Sequence, residues 1–135
     1  FAVAGGRVFT CGTEEKQQTI FCLDERTGDI QWKLHLEAEM TDPDPNLHGP
    51  RATPTVDGDR VYLLASLGRM VCLDAKSGKI GWEHQFKNQP HWGYSGSVLI
   101  DGDLAIVSAG GSRAIQSRCR IRRGQDSVRQ RAGGH

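Results

Sequence analysis

The stretch "FCLDERTGDIQW" at positions 21–32 is written again, almost unchanged, as "VCLDAKSGKIGW" at positions 71–82. Each copy has an apolar run that ends in Leu-Asp, then a Thr-Gly or Ser-Gly pair, and a tryptophan four residues after the glycine. Because glycine readily adopts the positive φ that closes a tight turn, each copy predicts a strand, a turn and a second strand. A unit that recurs in this way predicts a fold built from similar sheets.

The segments that precede the motif repeat as well. "VAGGRVFTCG", "VDGDRVYLLA" and "IDGDLAIVSA" each place a glycine-containing turn beside an alternating apolar run, which is typical of a β-hairpin. The whole unit then has four short antiparallel strands and recurs after about 44 to 53 residues, the period of a propeller blade. The sequence therefore predicts an all-β fold, a β-propeller fragment of two to three four-stranded antiparallel blades.

The alignment of the repeats gives the expected domain boundaries. Residues 1–40 are predicted to form a partial first blade, followed by a loop over residues 41–53. Residues 54–89 are predicted to form the second blade, and residues 90–111 the start of a third. Residues 112–135 are set apart as a degenerate, Arg-rich tail.

The tail differs from the rest of the chain in charge and in pattern. Residues 1–111 carry ten Lys and Arg against fifteen Asp and Glu, a formal charge of −5, whereas residues 112–135 carry seven Arg and one Asp, a charge of +6. Every element of the third motif is lost here, which indicates either a change of reading frame or a real, disordered basic tail. The tail has no aromatic residue for base stacking, so no nucleic-acid partner is expected.

The two copies "CLDERTGDIQW" and "CLDAKSGKIGW" resemble the blade signature of the PQQ-like β-propeller repeat family. The resemblance covers residues 1–111 and occurs twice with matching flanks. It implies a closed ring of W-shaped four-stranded blades. The family includes quinoprotein dehydrogenases and non-enzymatic scaffolds similar to the Bam-complex lipoprotein.

The repeated residues are predicted to be structural. The aspartates accept hydrogen bonds from the turn amides that follow, and the glycines close the turns. The resemblance implies that the tryptophan of each outermost strand docks one blade on the next. The predicted structural residues are Asp24, Gly28, Trp32, Asp74, Gly78 and Trp82.

The loops that lead into the innermost strands are not shared between the copies, and they are the candidates for binding. They read "NLHGPRATP" and "QPHWGYSGS". Such connections emerge on one face of a propeller, so their side chains are expected near the mouth of the central channel. The alternative is that the aromatic residues pack between blades and the polar groups satisfy the loop backbone. The candidates are His48, Arg51, His91, Trp92 and Tyr94.

No catalytic residue and no metal site is predicted, and the pattern favours a non-enzymatic protein. The four cysteines are not at metal-ligand spacing, and no vicinal cysteine pair is present. The resemblance alone leaves pyrroloquinoline quinone with Ca²⁺ open as a cofactor, and Arg51 as the residue that would pair with a quinone carboxylate. No cofactor is otherwise expected.

The expected function is that of a binding or assembly platform with a protein partner or small ligand at the channel rim. Two alternatives stay open, a piece of a PQQ-dependent alcohol or sugar dehydrogenase and an extracytoplasmic sensory propeller of a larger chain such as a kinase.

No apolar run is long enough to span a membrane. A periplasmic or extracytoplasmic location follows from the resemblance alone. The chain starts within a strand without an initiator Met, so further blades are expected from a parent chain, and the isolated chain is not expected to be a stable monomer.

Overall fold

The computed structural model of the chain describes residues 1–38, 49–87, 90, 93–108, 116–120 and 129–131, the last two segments by their backbone. Every regular element in this part of the chain is a β-strand. The strands are β1 (Ala2–Ala4), β2 (Arg7–Glu14), β3 (Gln17–Asp24), β4 (Ile30–Ala38), β5 (Thr55–Asp57), β6 (Arg60–Leu64), β7 (Arg69–Asp74), β8 (Ile80–Gln85), β9 (Leu99–Asp101), β10 (Leu104–Ser108), β11 (Gln116–Arg120) and β12 (Arg129–Arg131).

The strands form three separate sheets of four. Each sheet follows chain order, β1 to β4, β5 to β8 and β9 to β12, and every neighbouring pair is antiparallel. The innermost strands meet across the sheets, because β5 lies beside both β1 and β9. The predicted all-β class and the four-stranded antiparallel sheets are confirmed.

The two faces of the second sheet bury different apolar cores. Val71 and Leu73 of β7 belong to the core shared with the first sheet, where they meet Phe9 and Ile20. Met70 and Cys72 alternate with them and belong to the core shared with the third sheet. This alternation is the normal consequence of the two-residue period of a strand. The second sheet is therefore covered on both faces.

In each of the first two sheets, the outermost strand contains one extra residue just before its tryptophan. This bulge decides which face of the sheet the tryptophan side chain lies on. The ladder register shifts between Cys22 and Leu23 in the first sheet and at the same point of the second, so that Trp32 lies opposite Cys22 rather than one position away. Such a bulge moves every later side chain to the other face of the strand. Trp32 thereby shares the face of Cys22, which looks towards the second sheet.

The third sheet keeps the backbone ladder without the sequence motif. Arg120 pairs with Leu104, the register at which Asp24 pairs with Arg7 and Asp74 with Arg60. Strand pairing therefore does not need the Leu-Asp motif. The proposed change of reading frame stays a prediction, because only the coding DNA or the mass of a C-terminal peptide tests it.

Candidate functional site

The carboxylates of the repeat are bound into the turns that follow them. Asp24 Oδ1 accepts hydrogen bonds from the amides of Arg26 and Thr27, both at 2.9 Å. Asp74 Oδ1 accepts from the amide and the hydroxyl of Ser77, at 2.8 and 2.9 Å. The backbone hydrogen bonds from Thr27 and from Ser77 lower the pKa of the two carboxyl groups. Both aspartates therefore stabilise a turn and stay ionised at neutral pH.

The indole of Trp32 joins the first sheet to the turn between β7 and β8. Its Nε1–H donates to the carbonyl oxygen of Ala75 at 3.1 Å. Its ring lies so close to Gly78 that a Cβ at this glycine would meet the ring atoms at 2.6 and 2.7 Å. Gly78 also has a φ of 73°. The glycine is required here both by the turn and by the ring that lies on it.

The equivalent tryptophan of the second sheet lies in the second core. Trp82 contacts the ring of Tyr62 at a centroid distance of 6.1 Å and an interplanar angle of 49°. No acceptor for its indole N–H lies in the described part of the chain. The turn of the third sheet that corresponds to the turn at Gly78 falls within residues 121–128, outside the described residues.

Two of the five rim candidates lie within the described residues. Arg51 is exposed on the loop between β4 and β5. Tyr94 is buried, with its ring 5.9 Å from that of Phe86 and its amide donating to the carbonyl oxygen of Ser66 at 2.8 Å. The structure thus places Tyr94 in packing between the second and third sheets. His48, His91 and Trp92 lie outside the described residues, and a binding role for the two loops stays a prediction.

A buried polar group at the ends of these loops was missed by the sequence interpretation. Gln18 is 0 % exposed and Ser66 is 2 % exposed. Gln18 Oε1 accepts the amide of Ser66 at 3.0 Å, and Gln18 Nε2 donates to the carbonyl oxygen of Ala38 at 3.0 Å. A signal did exist in the sequence, because the four-residue turn "ASLG" between β6 and β7 has no counterpart in the first copy. Its length alone did not identify its partners.

A second polar group lies on the first sheet around Glu14. Lys33 Nζ is 2.8 Å from Glu14 Oε1, and His35 Nε2 is 3.8 Å from Glu14 Oε2. Glu14, His35 and Thr19 follow one another like the carboxylate, imidazole and hydroxyl of a catalytic triad, with the Thr19 hydroxyl 2.8 Å from His35 Nδ1, but Thr19 is fully buried. A substrate could not reach this hydroxyl. The group serves as cross-strand pairing between β2, β3 and β4.

The three described thiols, Cys11, Cys22 and Cys72, are kept protonated by burial and are therefore poor nucleophiles and poor metal ligands. Burial raises the pKa of Cys11 to about 12, and burial also raises the pKa values of Cys22 and Cys72. Among the described residues, no three side chains of His, Cys, Asp or Glu lie together so that they could hold a metal ion. Nor does this part of the chain contain a helix that is long and apolar enough to cross a membrane.

The described residues do not fit a quinone with its Ca²⁺. Such a site needs a group of oxygen ligands for the ion, and the motif carboxylates Asp24 and Asp74 are bound to turn amides. Of the rim candidates, the exposed Arg51 is the described residue that could contact a quinone carboxylate. The expected lack of a cofactor stays a prediction.

A family model described as outer membrane protein assembly factor BamB matches residues 1–130 of the chain. The chain belongs to this family of PQQ-like propellers. The match extends past Gly111, where the resemblance noted in the sequence ended, and includes the segment that pairs as β11. No curated protein is significantly similar to the chain.

Solved structures give the same fold. BamB from Moraxella catarrhalis matches 88 % of the chain with a TM-score of 0.65 and 17 % identity. The quinohemoprotein alcohol dehydrogenase ADHIIG from Pseudomonas putida HK5 matches 95 % with a TM-score of 0.68 and 19 % identity, and the quinohemoprotein alcohol dehydrogenase from Comamonas testosteroni matches 85 % with 0.57 and 20 %. The chain spans 35 %, 19 % and 18 % of these structures, respectively. The predicted propeller fragment is confirmed.

Proposed function

We propose that the chain is part of a non-catalytic, extracytoplasmic propeller that serves as a binding or assembly platform for protein partners. The proposal rests on the side chains that both repeats share, because these already have structural partners. Asp24, Asp74 and Trp32 are all engaged in turns or in sheet docking. The partner is then contacted by the parts that differ between repeats, which are the rim loops before β5 and β9. The family description as an outer membrane protein assembly factor supports a protein partner.

Site-specific photo-crosslinking in the native cell tests this proposal. A crosslinker at Arg51 or at Trp92 is expected to capture the same partner protein. Lys76 is a matched control, because it is exposed on the turn between β7 and β8, at the opposite end of the strands. Equal capture from Lys76 and from the two loop positions would exclude the rim as the binding surface.

The dehydrogenase alternative is tested by titrating the full-length parent protein with pyrroloquinoline quinone and Ca²⁺. Quinone absorbance and dye-linked oxidation of simple alcohols and sugars are the readouts. We expect neither stoichiometric binding nor turnover at micromolar quinone. Stoichiometric binding with turnover would replace the platform by an enzyme and would make Arg51 the first residue to mutate. A sensory role would require a transmembrane segment or a catalytic domain in the same parent chain.

A further inference from the structure

The turn between β6 and β7, residues 65–68, holds both ends of the first rim loop. Before this loop, Glu37 Oε1 accepts the amide of Leu67 at 2.6 Å, and Ala38 is held by Gln18, which in turn accepts the amide of Ser66. Within the loop, directly after residues 39–48, Ser66 Oγ donates to the carbonyl oxygen of Gly49 at 3.2 Å. The described residues on both sides of residues 39–48 are therefore bonded, directly or through Gln18, to this one turn.

The same turn holds both ends of the second rim loop. Before this loop, the amide of Phe86 donates to the carbonyl oxygen of Gly68 at 2.9 Å. After it, the amide of Tyr94 donates to the carbonyl oxygen of Ser66 at 2.8 Å. A Cβ at Gly68 would meet the Tyr94 ring at 3.0 Å and the Phe86 carbonyl oxygen at 3.1 Å, and its φ is 98°. The turn thus needs a glycine where the second loop lies against it.

The exits of the two loops are also joined directly. Ser97 Oγ accepts the amide of Thr53 at 3.2 Å, and Thr55 Oγ1 donates to the carbonyl oxygen of Val98 at 2.5 Å. These contacts reach from the end of the first loop to the end of the second. The described ends of the two loops are therefore bonded directly to each other.

We propose that Ser66 and Gln18 are positioning residues that hold the described parts of the two rim loops, residues 49–53 and 93–98, as one unit around the turn at residues 65–68. The inference rests on the proposed function, in which the partner contacts these loops. Because Gln18 and Ser66 are buried, neither touches the partner itself. Their role is to keep the loops in one relative position, so that a partner at one loop also orders the other. A single loop would be a smaller and looser binding surface.

Amide hydrogen exchange of the full-length parent protein tests this coupling without any ligand. Ser66→Ala removes the hydroxyl that bonds to Gly49, a contact of the first loop alone. We expect exchange in the described parts of both loops, residues 49–53 and 93–98, to accelerate about five-fold, the effect of one hydrogen bond. Ser66→Thr keeps the hydroxyl and is expected to restore the slower exchange.

Two further variants keep the test decisive. Gln18→Met removes the acceptor for the Ser66 amide from within the first sheet, and it is expected to accelerate both loops more than Ser66→Ala does. Ser77→Ala is the matched control, since it removes a turn hydroxyl of the same sheet at its opposite end, and neither loop should respond. Acceleration of the first loop alone in Ser66→Ala would overturn the coupling. Equal acceleration of the β6 and β7 amides would overturn it too, because Ser66 would then support only the global fold.

The outcome is separable from that of the proposed function. Exchange is measured on the free chain, so uncoupled loops would leave the crosslinking result untouched. Conversely, coupled loops that crosslink no partner at Arg51 or Trp92 would retain the coupling and remove the binding role.

Discussion

The first and second sheets carry the same turn, and among the described residues a side chain lies on the turn at Gly78 but not on the turn at Gly28. A Cβ at Gly78 would meet the ring of Trp32 at 2.6 Å, whereas a Cβ at Gly28 meets no atom within 4 Å in the described part of the chain. Both glycines have nearly the same backbone, with φ values of 73° and 77°. The comparison separates two requirements that the repeat combines. The turn itself needs a glycine in either sheet, and the docking of a neighbouring tryptophan needs it again.

Substitution of each of the two glycines by alanine is expected to give the largest difference in stability. Gly28→Ala is expected to destabilise the chain by about 1–2 kcal/mol, because alanine at positive φ is strained. Gly78→Ala carries the same strain, and it must also displace the Trp32 ring, which adds about 1–3 kcal/mol of overpacking. Urea unfolding followed by circular dichroism measures both variants at low protein concentration. Equal losses from the two substitutions would show that the ring contributes nothing to the interface.

The fold was largely predictable from the sequence, because it rests on local signals. A Leu-Asp end, a glycine turn and alternating apolar residues specify a strand, a turn and another strand without reference to distant residues. The bulge beside Trp32 was not predictable in the same way. It adds a single residue to a ladder, and only the opposite strand shows that Trp32 and not Gln31 is the ladder partner of Cys22.

The second comparison concerns the two tryptophans and a single hydrogen bond. Trp32→Phe keeps an aromatic ring in the first interface and removes the N–H that bonds to Ala75. We expect it to cost about 1 kcal/mol, because the Ala75 carbonyl oxygen loses its partner in a half-buried position, and Trp82→Phe tests the corresponding position of the second interface. The same unfolding experiment measures both. A larger loss from Trp82→Phe would mean that the second interface depends on its tryptophan more than the first does.

The candidate site was less predictable than the fold, because its parts come from different sheets. Sequence patterns drew attention to Arg51 and Tyr94 as differences between repeats. They did not reveal that the Tyr94 amide bonds to Ser66, or that Ser66 also bonds to Gly49. Those contacts join residues that are far apart in the chain and that follow no period. Gln18 was missed for the same reason, since a glutamine in a strand has no motif to mark it.

The smallest expected effects come from two carboxyl groups, Glu37 at the interface between the sheets and Asp74 in the turn after β7. The contributions of these two groups to stability should change with pH in opposite directions. Burial beneath the second sheet raises the pKa of Glu37, against the opposing hydrogen bonds from the Leu67 and Arg69 amides. A folded-state pKa above the unfolded value of 4.5 means that Glu37 favours folding below that pH and loses this contribution as pH rises through the raised pKa. Glu37→Gln keeps an oxygen for the Leu67 amide and removes the charge. Its stability relative to the unmodified chain should therefore improve as pH rises from about 4 to 7.

Asp74 is the matched carboxyl group for this experiment. The hydrogen bond from the Ser77 amide lowers its pKa below the usual 3.8, so its contribution is present above that pH and is lost as pH falls through the lowered pKa. Asp74→Asn should therefore cost stability at pH 7, and the cost should shrink in acid. Urea midpoints measured between about pH 3 and 7 give both trends. The contrary result is that Glu37→Gln follows the trend of Asp74→Asn. That result would mean that the hydrogen bonds from the Leu67 and Arg69 amides, and not burial between the sheets, govern the ionisation of Glu37.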